Sequence, residues 1–86
     1  MKKGEILDTC KLLSKEYFNL YIESVNGDFG VLDDDVIVIG FYEDVDKKEY
    51  KMIFELPKLP DVYCEIIHDI DTRRLHSSIF KKVNYI

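Results

Sequence analysis

The sequence predicts an α+β domain. It has an N-terminal helix, a three- to four-stranded antiparallel sheet, and C-terminal helical segments packed on one sheet face. Three observations carry this. Apolar residues recur at helical spacing over residues 5–17, alternate at period two through the middle, and return to helical spacing from Leu59.

In the first segment Ile6, Cys10, Leu13 and Tyr17 form a stripe widened by Leu7 and Leu12. Phe18, Leu20 and Ile22 then alternate with Asn19, Tyr21 and Glu23, which reads as a half-buried strand. Asn26 and Gly27 are the strongest turn dipeptide, because a type I′ turn needs positive φ at both central residues. A short strand from Phe29 to Leu32 follows, or else an irregular loop to Asp35. The run from Val36 to Glu43 is apolar at both parities, the pattern of a strand in mid-sheet. A polar turn over 44–48 leads to a one-sided strand carrying Tyr50, Met52, Phe54 and Leu56, which Pro57 and Pro60 stop.

Leu59, Val62, Tyr63, Ile66, Ile67 and Ile70 fit one helix face, with Pro60 at a favourable first position. Beyond Ile70, Leu75, Ile79, Phe80 and Val83 suit a second short helix capped by Asp71 or Thr72. A terminal strand competes for residues 78–86.

Size and composition bound the function. At 86 residues, a single domain over 1–86 is expected. With 47% hydrophobic and 34% charged residues, a disordered tail is excluded. The formal net charge of −5 opposes the Lys/Arg neutralisation that drives nucleic-acid binding, and it opposes attachment to anionic membranes. It favours a protein partner with a basic surface. Met1, Lys2 and Lys3 open like a signal peptide, yet Asp8 and Lys11 fall where its apolar segment belongs. A cytoplasmic protein with two reduced thiols, Cys10 and Cys64, is the expectation.

Nine acidic residues lie between Glu16 and Asp46, and no Lys or Arg separates Lys15 from Lys47. Asp28, Asp33, Asp34 and Asp35 precede the run starting at Val36, and Glu43, Asp44 and Asp46 follow it. Carboxylates spread along a sheet imitate the spaced phosphates of a nucleic-acid backbone. Tyr21 and Tyr42 fall beside them and would supply apolar anchors. The competing account is that acidic turns keep a small domain soluble and protect its edges.

Other constellations are weaker. A calcium loop from Asp44 puts Lys48 on a ligand position, and Glu49 replaces the central glycine. Cys64 and His68, one helical turn apart, could pair as nucleophile and base or as zinc ligands. No CxxC or glycine-rich turn supports either, so a small buried thiol beside a surface histidine is the simpler account. Asp28, Phe29 and Gly30 spell a kinase triplet without the rest of a kinase. Arg73, Arg74, Lys81 and Lys82 make the C-terminal end basic.

The sequence therefore points to a small acidic, non-enzymatic protein-binding module without cofactor or metal, one that inhibits a partner by occupying its nucleic-acid groove. In size and charge it resembles the small acidic proteins with which phages and mobile elements block host defence or DNA enzymes. The alternative is an antitoxin, immunity protein or assembly subunit recognised by shape through residues such as Tyr42 and Tyr63. A homodimer is compatible with the aromatic surplus of six Tyr and five Phe.

Overall fold

A computed structural model describes residues 2–26 and 36–82, with Val25 and Asn26 described by their backbone alone. Helix α1 (Lys3–Asn26) is followed by strands β1 (Ile37–Asp44), β2 (Glu49–Leu56), β3 (Leu59–Asp69) and β4 (Leu75–Lys81). The strands form one antiparallel meander in the order β1-β2-β3-β4. The helix lies on one face of it and packs against β2, β3 and β4. The α+β class and the four-stranded antiparallel sheet match the sequence expectation.

Three expectations are corrected. First, α1 does not stop at Tyr17. No Gly or Pro interrupts the chain between Gly4 and Gly27, so helix formation has no local reason to end. Ile6, Cys10, Ser14 and Phe18 form a buried ridge at four-residue spacing. Tyr21 and Ile22 extend it against the core, while Leu20 faces solvent. The alternation over 18–23 was thus coincidence on a continuing helix. The burial of Ser14 is tolerated because its hydroxyl donates to the Lys11 carbonyl at 2.7 Å.

Second, Leu59–Asp69 is a strand, and no C-terminal helix is present among the described residues. Val62, Cys64, Ile66 and His68 alternate into the core, and Tyr63, Glu65 and Ile67 alternate out of it. A strand open to partners on both sides pairs its backbone with β2 and β4 at once, so tertiary pairing overrides helical spacing. Leu75–Lys81 likewise forms a strand, which shares residues 78–81 with the competing strand expected over 78–86.

Third, among the described strands β1 lies at the edge of the sheet and not at its centre. Its register with β2 slips between Val38 and Gly40, leaving Ile39 as a bulge. The turn dipeptide's Gly27, the Phe29–Leu32 strand and residues 83–86 with Tyr85 lie outside the described residues.

The core is the layer between helix and sheet. Ile6, Cys10 and Phe18 meet Met52, Phe54, Leu56, Val62, Cys64 and Ile66 there. Two turns close one end of the sheet. Asp44 Oδ1 accepts from the Lys47 amide, and Asp69 Oδ1 accepts from the amides of Asp71 and Thr72. The Ile70 amide donates to the Lys48 carbonyl at 3.0 Å and ties the turns together. Lys48 and Arg73 adopt left-handed backbone, with φ of 52° and 60°.

Candidate functional site: the uncovered sheet face

With its only described helix on one side, the sheet has no described element over its other face. Directly opposed residues share a face, so the register maps it row by row. Asp44 opposes Glu49, and Glu49 opposes Asp69. The next row is Tyr42, Lys51, Ile67 and His76. Further along come Gly40, Ile53, Glu65 and Ser78, then Ile37, Glu55, Tyr63 and Phe80.

This face is more apolar than a merely solvated surface requires. Ile37 is 51% exposed, Ile39 48%, Tyr42 56% and Phe80 41%. Tyr63 and Phe80 stack at a centroid distance of 5.5 Å. The Tyr42 ring lies over Gly40, and a Cβ there would come within 2.7 Å of it. Tyr42, Asp44, Glu49, Lys51 and Ile67 help line a shallow groove of about 430 Å³.

The charges on the face divide into neutralised and bare. Lys51 pairs with Glu65 at 3.3 Å, and Lys82 reaches across β3 to Glu55 at 2.5 Å. None of the ion pairs among the described residues includes Asp44, Glu49 or Asp69. Hydrogen bonds from the backbone amide of Thr72 hold the Asp69 carboxyl below its ordinary range, with help from that of Asp71. Like charges directly across a strand pair are unfavourable, while Asp44 and Asp69 at the same time brace the two turns by accepting from backbone amides.

The sequence-derived residues are placed unevenly. Asp44 and Tyr42 come together on the uncovered face. Glu43 leaves β1 on the opposite face and pairs with Lys3 at 2.9 Å, where the Lys3 ammonium also lies 5.8 Å from the Tyr50 ring centroid. Asp46 is exposed in the β1–β2 turn. Tyr21 sits on α1, packed against the core beside Leu59 and Val62, and does not join Tyr42. Asp28, Asp33, Asp34 and Asp35 lie outside the described residues. Glu49 and Asp69 were missed, because Asp69 joins the row only once Leu59–Asp69 is a strand in register with β2.

Cys64 and His68 do share a face, but as alternate residues of β3 turned into the core. Burial pushes the Cys64 thiol up to about 12, so it is protonated at neutral pH and poorly suited to nucleophilic attack. His68 is 8% exposed rather than a surface residue, and its Nδ1 has no hydrogen-bond partner among the described residues. Among the described residues, no group of three or more His, Cys, Asp or Glu is arranged to hold a metal ion. No described helix is long and apolar enough to cross a membrane. No protein-family model, curated protein or solved structure matches the chain.

Proposed function

We propose that the protein is a non-enzymatic binding module that docks its uncovered sheet face onto a basic surface of a protein partner, and inhibits that partner by occupying its nucleic-acid-binding site. The carrying observation is the row Asp44–Glu49–Asp69, which joins none of the ion pairs among the described residues and adjoins exposed Tyr42. A row of like charges costs the fold some stability and is rationalised by a cationic surface that offsets it on binding. The four strands span roughly 20 Å by 25 Å, from spacings of about 4.8 Å between strands and about 3.3 Å per residue. That is commensurate with one side of a small specific interface. Tyr42 serves as the aromatic anchor and the carboxylates set steering and register.

A second reading is favoured by the stacked Tyr63–Phe80 pair and exposed Ile37 at the far end of the face. Recognition there would rest on shape and apolar contact, as in an antitoxin, immunity protein or assembly subunit.

Immobilised protein in three forms, unsubstituted, Glu49→Lys and Tyr63→Ala, separates the two. The charge-led reading expects a retained partner that elutes at moderate salt, is lost on Glu49→Lys, and is displaced by added duplex DNA. Retention insensitive to salt, DNA and Glu49→Lys, but lost on Tyr63→Ala, would replace it with the shape-led one.

A further inference from the structure

The two edges of the sheet differ. At the β1 edge, the Ile39 bulge breaks the regular ladder, a usual protection against strand addition. The β4 edge has neither bulge nor proline: Leu75 to Lys81 pair with β3 in unbroken register. Its backbone polarity follows from two hydrogen bonds. The Lys82 amide donates to the Asp61 carbonyl at 2.7 Å, and the Arg74 carbonyl accepts from the Asp69 amide at 2.9 Å. Even-numbered residues of β4 therefore turn their amides and carbonyls toward β3. Leu75, Ser77, Ile79 and Lys81 turn theirs outward, where no described strand meets them.

We propose that this edge is a dimer interface: β4 pairs antiparallel with β4 of a second copy about a two-fold axis at Ser78, joining two sheets into one of eight strands. The occupant is argued from self-complementarity. With Ser78 opposite Ser78, the outward residues pair as Ser77 with Ile79 and Leu75 with Lys81, and His76 meets Phe80 on the uncovered face. All seven strand residues are paired and no two like charges oppose within the strand. A shift of the axis to Ser77 or Ile79 leaves strand ends unpaired. Just beyond the strand Arg74 meets Lys82, whose ammonium is already held by Glu55. Pairing β4 with β1 of another copy is head-to-tail, gives a ring or filament rather than a two-fold dimer, and meets the Ile39 bulge. The edge also carries exposed Leu75 and Phe80, which the second copy would partly cover.

The inference does not rest on the charge-led partner reading, because the acidic row Asp44–Glu49–Asp69 contains no residue of β4. Light scattering on the full chain across a concentration series is expected to approach twice the 10.2 kDa chain mass. Ser78 is exposed, so Ser78→Lys leaves the protomer folded by circular dichroism. It places two ammonium groups face to face at the axis and shifts the mass to that of one chain. Ser78→Cys is the positive test. A non-hydrogen-bonded antiparallel pair brings Cα atoms to about 4.5 Å, within disulfide range, so mild oxidation yields a covalent dimer. Cys10 and Cys64 are buried and do not compete. A monomer at every concentration overturns the proposal. So does a dimer that survives Ser78→Lys, or one that Ser78→Cys fails to cross-link. A monomer that still binds a basic partner would overturn the dimer alone and leave the partner reading standing.

Discussion

The two faces of the same strands have been given opposite work. On β2, Met52, Phe54 and Leu56 are buried under α1, while Lys51, Ile53 and Glu55 between them face outward. On β3 the same split separates Val62, Cys64 and Ile66 from Tyr63, Glu65 and Ile67. The covered face is apolar and closely packed. The uncovered face mixes isoleucine, tyrosine and phenylalanine with paired and unpaired charges. A face needed only for solubility would be polar throughout. Its apolar content and its acidic row are the features on which the proposed contact with a partner rests.

Substitution on either face tests the division, and the largest effect belongs to the covered side. Phe54→Ala removes a fully buried ring from the centre of the core and is expected to cost about 3–5 kcal/mol in denaturant unfolding. A domain this small sits near the lower end of the usual ~5–15 kcal/mol range, so much of that variant should be unfolded at ambient temperature. The adjacent outward Ile53→Ala should cost only about 1 kcal/mol. Equal losses would mean that both faces are packed, and the uncovered surface would no longer be available to a partner.

A second contrast is chemical. The Cys64 thiol is raised from its ordinary 9.0 to about 12 by burial. A raised folded-state value means that the native state holds the proton more tightly than the unfolded chain. The contribution is fully present below pH 9 and is lost as pH rises toward about 12. Cys64→Ala should therefore lose stability at neutral pH through the small cavity left, yet show a shallower alkaline decline than the unsubstituted chain. Parallel pH–stability curves would show the thiol to be free to ionise. A maleimide reagent at neutral pH should likewise leave both cysteines unmodified until denaturant is added.

How far the sequence revealed these faces depends on which periodicity governed each segment. For β2 alternation had no rival, because Pro57 ends the run and Tyr50, Met52, Phe54 and Leu56 share one parity. For β3 it had one. Leu59, Val62, Tyr63, Ile66, Ile67 and Ile70 satisfy helical spacing because two apolar residues, Tyr63 and Ile67, belong to the uncovered face. Had those two been polar, alternation would have been plain. The same surplus misplaced β1, since Ile37, Ile39 and Tyr42 make a strand at the edge of the described sheet look central. The misreadings of β1 and β3 thus share one physical cause, an apolar outer face, and that face is the candidate site. The misreading at the end of α1 was different: Leu20 is an exposed leucine that mimicked alternation on a helix. The acidic bias of the middle was legible. Which of the neighbours Glu43 and Asp44 takes the uncovered face was not, because the bulge at Ile39 resets the parity of β1.

The finest contrast lies within the acidic row. Glu49 is half-buried, makes no ion pair among the described residues, and has a carboxylate on either side of it. Replacing it by glutamine removes one charge from two unfavourable cross-strand pairs and should stabilise the fold by about 0.2–1 kcal/mol. The same change should weaken a cationic partner and flatten the salt dependence of its binding. Glu55→Gln serves as the reference. Glu55 already pairs with Lys82, so its loss should leave partner affinity unchanged and cost stability at most about 1 kcal/mol. A stabilising Glu49→Gln that costs binding means the row is kept for a partner at the expense of the fold. A destabilising one would mean that these carboxylates are satisfied within the protein, and the acidic row would then be a feature of folding alone.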